Sequence, residues 1–277
     1  MPATSARRAP AGYFAVKRNR HDRVTQVWEY NKDHDLIAHY QYQWKDSSLV
    51  FRRDHKYNNR GKLFSVVGWQ LADGRPVEKK ETFYDFQGQY ERVEVTHVNT
   101  RGQPAFIETY GEGRKLVSTT QMNYDPARRL DKKKTIYYSP AGNERDFWVT
   151  IYTNQNQVAR EEHYLSNGTL IAFYRNTYDP LDYHLRHTES FSEETPERIR
   201  KDFDADGNLI REEHLTRDLV SNGWKTWTYN EEPGKVIERT FGADGNMIKR
   251  EIKLQNEPKA LLGKLKRETS SAPAARF

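Results

Sequence analysis

Phe203-Asp-Ala-Asp-Gly-Asn-Leu-Ile210 and Phe241-Gly-Ala-Asp-Gly-Asn-Met-Ile248 are two copies of one pattern: an aromatic ring, three turn formers, a glycine, and an apolar side chain two places beyond it. Working outward, the aromatic-to-glycine spacing returns at Tyr57–Gly61, Tyr84–Gly88, Tyr138–Gly142 and Tyr164–Gly168. Looser copies lie at Tyr30, Gly74, Gly102, Tyr110, Tyr124, Tyr152, Tyr178 and Tyr229. A period of roughly 12–15 residues leaves room for one short strand and one turn per unit. Asp-Ala-Asp-Gly and Ser-Pro-Ala-Gly suit a type I turn closed by a glycine with positive φ in a bulge, a common hairpin connection. Between turns the chain favours Tyr, Thr, Val, Trp and Phe and keeps no 3.6-residue apolar stripe, so strand is expected over helix.

The expected fold is therefore all-β: an extended antiparallel meander of about seventeen short strands over residues 24–254. Alternation along the strands is weak. In Trp224-Lys-Thr-Trp-Thr-Tyr229 both faces mix polar and large side chains. Aromatic ladders and cross-strand Lys/Arg–Glu pairs should then supply much of the cohesion, at ~0.2–1 kcal/mol each. Laid flat at ~4.8 Å per strand, the array would be ~80 Å wide, a width at which sheets twist or curl. A propeller would need a second period near fifty residues and more apolar material than is present.

Composition agrees. The 277 residues are 35% hydrophobic, 30% charged and 13% aromatic, with a mean hydropathy of −1.02. That is too little core for a thick globule and too many rings for a disordered chain. There is no cysteine, which excludes disulfides and thiolate chemistry, and no apolar run approaches the ~20 residues of a membrane helix. Residues 1–23 read as a basic tail carrying Arg7, Arg8, Lys17, Arg18 and Arg20, and residues 255–277 as a second tail. Without an apolar stretch after the first charges, no export signal is expected. Cytoplasmic placement is the default, with organellar import or secretion by another route left open.

The repeat, clearest at Tyr84-Asp85, Phe203-Asp204 and Phe241, resembles the YD repeats of the RHS family and the MORN-like repeats of bacterial antitoxin-type proteins. The resemblance spans most of residues 24–254. It implies hairpins coiled into a sheet that encloses or displays something else. The chain is far shorter than the large RHS members, so what the resemblance implies here is a small repeat scaffold or binding module.

Three residue sets carry candidate chemistry. Asp202, Asp204, Asp206 and Glu213, with Gly207 between them, have the spacing of a calcium loop. The same residues are also the best copy of the repeat, and one segment cannot be both hairpin and helix-loop-helix. We read a turn and expect no metal and no cofactor. Arg128, Arg129, Lys132, Lys133 and Lys134 form a basic cluster able to meet phosphate or another acidic surface, with Arg52, Arg53, His55 and Lys56 on an earlier strand. Trp69, Trp148, Trp224 and Trp227 would suit a glycan platform or a protein interface, or serve as ladder residues. No nucleophile elbow, phosphate loop or dinucleotide fingerprint occurs, so no enzyme is expected. The expected function is a non-catalytic scaffold presenting a sheet surface to a macromolecule, most simply a protein. A nucleic-acid or ribonucleoprotein-associated subunit and a glycan-binding or glycan-hydrolysing protein are the alternatives. Open sheet edges would also permit homo-oligomers.

Overall fold

The computed structural model describes residues 5–9, 12–195, 197–229 and 231–254, the first five by backbone alone. Its described residues form twenty β-strands and one three-residue 3-10 turn, an all-β antiparallel meander. Clustering of contacts divides the chain into two units, 1–149 and 150–277.

In the first unit the strands are β1 (Ser5–Ala9), β2 (Gly12–Arg18), β3 (Val24–Asn31), β4 (Leu36–Lys45), β5 (Ser48–Tyr57), β6 (Leu63–Ala72), β7 (Arg75–Tyr84), β8 (Tyr90–Val98), β9 (Pro104–Tyr110), β10 (Leu116–Tyr124) and β11 (Leu130–Tyr138). From β1 to β11 each pairs antiparallel with the next. Strand β12 (Glu144–Tyr152) contains the boundary. The second unit holds β13 (Val158–Leu165), β14 (Leu170–Tyr178), β15 (Leu185–Ser192), β16 (Arg198–Phe203), β17 (Leu209–Leu215), β18 (Ser221–Tyr229), β19 (Lys235–Phe241) and β20 (Met247–Leu254), again paired in chain order.

The ladder begins earlier than Val24. Gly12–Arg18 pairs with β3 along its whole length, so the stretch expected as a basic tail contributes a strand. Its apolar cluster explains this: Tyr13 stacks on Tyr30 with ring centroids 4.7 Å apart. The expected C-terminal tail, 255–277, lies outside the described residues.

The repeat maps onto the turns. At Asp204 the backbone N–H bonds the carbonyl of Asn208 at 3.0 Å, while Gly207 donates back to the Asp204 carbonyl at 3.2 Å. The Asp204 Oδ1 accepts the N–H groups of Asp206 and Asn208 at 3.0 and 2.8 Å. Asn58, Asp85 and Asn99 do the same. The acid or amide after the ring is therefore the acceptor that closes the turn. Gly207, at φ +81, takes a backbone conformation that a Cβ disfavours.

The ring before the turn has its own task. Tyr124 donates its hydroxyl to the Pro104 carbonyl at 2.7 Å, Tyr178 to Val158 at 2.9 Å and Tyr229 to Leu209 at 2.9 Å. Trp44 Nε1 reaches the Val24 carbonyl at 2.8 Å in the same way. Each acceptor is the first strand residue after the preceding turn on the same end of the sheet. Such a bond contributes on the order of 1 kcal/mol and ties together turns that the ladder itself leaves two strands apart.

The core is thin. Among the described residues the buried hydrophobic side chains are Ala38, Val67, Val93, Phe173, Leu215, Val236 and Ile237, outnumbered by buried polar ones such as Asp54, Ser65, Thr150, Glu162, Thr188 and Glu238. Cohesion comes instead from charged and aromatic side chains laid across strands. Glu238 receives Lys253 at 2.5 Å, Lys225 at 3.4 Å and the Trp227 indole at 3.2 Å. Burial raises the pKa of the Glu238 carboxyl, but the two ammonium groups outweigh it and hold the acid below its ordinary value.

Candidate binding surface

Opposed residues in an antiparallel pair share a face, and so do residues two apart on a strand, so the pairing of β4 to β8 sorts the first unit's side chains into two faces. One face is a lattice of satisfied charges. Arg52 makes two 2.7 Å bonds to Asp54 and lies over the rings of Tyr40 and Tyr42. Lys79 meets Glu81 at 2.5 Å and covers Trp69. Arg92 meets Glu94 at 3.1 Å and stacks 4.0 Å above Phe83. Tyr40 donates to Glu29 at 2.7 Å. Burial, then that carboxylate, pushes its phenol to about 12.

The other face is unlike it. Arg53, Gly68 and Lys80 are direct cross-strand neighbours on β5, β6 and β7. Around them Phe51, Val66, Gln70, Glu78, Thr82 and Tyr84 line a depression of about 330 Å³. Val66, Gly68 and Gln70 form its floor, and side chains of β5 and β7 its walls. Arg53 rests over the Phe51 ring at 5.2 Å. Beside the depression Trp28, His39 and His55 stack in sequence across β3, β4 and β5, with centroids 5.1 and 5.4 Å apart. Burial, then the neighbouring imidazole, lowers the His39 pKa; burial also lowers that of His55.

The residues picked out in the sequence are dispersed. Trp69 belongs to the charge lattice. Trp224 stacks on Phe241 at 5.2 Å under Arg211, and Trp227, an odd number of residues away, lies on the opposite face and binds Glu238. Trp148 is half-buried on β12. Trp69, Trp224 and Trp227 each make a contact across to the next strand.

In the basic cluster, Arg128 occupies the positive-φ turn position, at φ 68, that glycine holds in the clearer copies. Arg129 binds Asp125 at 2.7 Å. Lys132 and Lys134 share one face of β11 and Lys133 takes the other. Lys132 is exposed, while the Lys134 ammonium lies 4.3 Å from the Phe147 ring.

The calcium-loop spacing folds as a hairpin, with β16 and β17 where helices would stand. Asp202 is held by His187 Nδ1 at 2.6 Å, Asp204 by its own turn, and Glu213 by Arg211 at 3.4 Å. Among the described residues no group of three or more acids and histidines is placed to hold a metal ion.

Sequence reading passed over Gly68 and Lys80. The available signal was a glycine inside a strand, in Val66-Val67-Gly68-Trp69, rather than at a turn.

Neither a family model nor a curated protein matches the chain. Among solved structures it is similar to the crystal structure of TcdB2-TccC3-TEV, at 14% identity and a TM-score of 0.22, covering 91% of this chain but only 16% of that one. It is also similar to porin-like proteins of Bacteroides vulgatus (11% identity, TM-score 0.31, 70% of this chain and 93% of that one) and Bacteroides uniformis (9%, 0.24, 90% and 91%). At such values the likeness is one of β architecture alone. No helix among the described residues is long and apolar enough to cross a membrane.

Proposed function

We propose that the chain is a non-catalytic β-repeat scaffold whose strand faces are the working surface for a macromolecular partner. The observation that carries this reading is the distribution of burial. Strand after strand is half-exposed along its length, and large apolar groups such as Phe64, Phe86, Ile248 and Leu254 stand in the open. Turns closed by Asx acceptors and aromatic ties hold the backbone without needing a core, which leaves both faces free to present side chains. A protein is the favoured partner, because paired charges interleaved with rings resemble the make-up of polar interfaces.

A nucleic-acid reading rests on Lys132 and Lys133, which extend from β11 near Arg128. The two differ in salt response, since phosphate contacts weaken steeply as salt rises. Affinity capture of the full chain from its native source at low and high salt tests both. A stoichiometric protein retained at both salts supports the scaffold. Nucleic acid released at high salt supports the second reading. Recovery of the chain alone at both salts, or turnover in a polysaccharide hydrolysis screen, overturns the proposal.

A further inference from the structure

Gly68 lies in the middle of β6 with extended backbone, so no left-handed conformation calls for glycine there. Nor does crowding: a Cβ at this position would meet the Phe51 ring at 3.5 Å, an ordinary contact. Glycine inside a strand weakens it, and its effect here is to leave the floor of the depression open. Its two cross-strand neighbours on that face are the cations Arg53 and Lys80, roughly 10 Å apart in backbone terms and long enough to converge over the gap. Among the described residues neither has a carboxylate within ion-pair reach, whereas Arg52 and Lys79, their chain neighbours on the other face, are both paired. Phe51 supports the Arg53 guanidinium from beneath, holding its planar fork for bidentate contact with a carboxylate.

We propose that this depression binds an acidic sugar, a hexuronate unit of a glycan, with its carboxylate between Arg53 and Lys80 over Gly68. The remaining walls suit a polyhydroxylated ring. Gln70 and Thr82 offer amide and hydroxyl groups, Glu78 accepts from hydroxyls, and Tyr84 contributes an aromatic surface. An acidic peptide fits less well. The backbone of β6 is paired on both sides, so a peptide lying along this face would find no free N–H or C=O for its own amides.

This site is independent of the partner proposed above. The test is calorimetric titration of the full chain with a galacturonate tetramer, its methyl ester and a glutamate peptide of equal charge. The acid tetramer should bind, and the neutral ester should bind at least about tenfold more weakly, as loss of a charged bidentate contact implies. Two variants separate the site from the fold. Arg53→Gln with Lys80→Gln should weaken tetramer binding by a similar factor, and Gly68→Val should abolish it, with the melting temperature of each maintained. Absence of tetramer binding, equal binding of the ester, tighter binding of the glutamate peptide, or variants that bind like the parent would each overturn the proposal. Retention of the captured macromolecule by Gly68→Val alongside loss of sugar binding would show that the two readings fail separately.

Discussion

The two faces of β5 to β8 carry nearly the same side-chain types and use them differently. On one, Arg52, Lys79 and Arg92 each meet an acid two residues along the same strand and cover an aromatic ring. On the other, Arg53 and Lys80 face each other across a glycine, and although Glu78 stands two residues from Lys80 on the same strand, neither cation is ion-paired among the described residues. The first arrangement satisfies its charges internally and holds the strands together. The second leaves two cations directed at solvent above a gap, which adds little to stability and leaves capacity for a ligand.

Substitutions on the two faces should therefore part company. The largest effect is expected at Asp54, which is buried at 8% exposure. Asp54→Ala removes both bonds to Arg52 and should cost roughly 1–2 kcal/mol in a urea melt, moderated because Arg52 can turn partly to water. A loss no greater than that of a surface substitution would erase the distinction between the faces. Next comes the backbone that both faces share. Gly207→Ala should cost about 1 kcal/mol through its positive φ, since nothing stands within 4 Å of the added methyl, and an unchanged melting temperature would count against the turn assignment. Tyr124→Phe should cost a similar or slightly smaller amount by removing the bond to Pro104; hydrogen exchange at the two tied turns would locate the loss.

A smaller effect concerns the histidine stack beside the depression. His39 and His55 have folded pKa values below the ordinary 6.5, so the folded state holds fewer protons there than the unfolded chain. Their contribution is fully present above pH 6.5 and declines as pH falls beneath it. His214 runs the other way. Burial would lower its pKa, but Glu212 and Glu197 raise it, giving stability below pH 6.5 that is lost as pH rises through the raised value. Replacing one titrating ring of the stack with His39→Phe should thus lessen the acid-side loss, and His214→Asn should steepen it, in melts taken between pH 5 and pH 8. The smallest expected change is at Arg53→Gln, within about 0.5 kcal/mol of the parent. A larger loss would mean that the second face is also structural.

Turns were the most legible part of the fold, because an Asx acceptor, a positive-φ glycine and a preceding ring are local requirements written in adjacent residues. The strand count followed from them. The start did not: Tyr13-Phe14-Ala15-Val16 lies among arginines, and its pairing with β3 shows that it is a strand. Faces were harder still. A bulge at nearly every turn shifts the register by one residue, as between Asp202 and Phe203, so parity cannot be carried from strand to strand by eye. Within one strand alternation suffices, and Trp224 and Trp227, three residues apart on β18, lie on opposite sides. The same alternation parts Arg52 from Arg53; what needs the cross-strand register is that Arg53 has Gly68, and beyond it Lys80, as its neighbours. The calcium spacing is ambiguous for another reason: alternate acids around a glycine satisfy a hairpin as readily as an ion, and here Asp202, Asp204 and Glu213 have donors from the protein.

The aromatic ties have a consequence for how such a chain can change in length. Tyr124, Tyr178 and Tyr229 each reach past one turn to the next on their own side, so the unit that reproduces itself is two strands with two turns. Duplication or deletion of such a pair leaves each tied ring with an acceptor and every side chain on its original side. Gain or loss of a single strand would reverse the chain direction of everything after it and orphan a hydroxyl. Lineages of this sheet should accordingly differ by even numbers of strands.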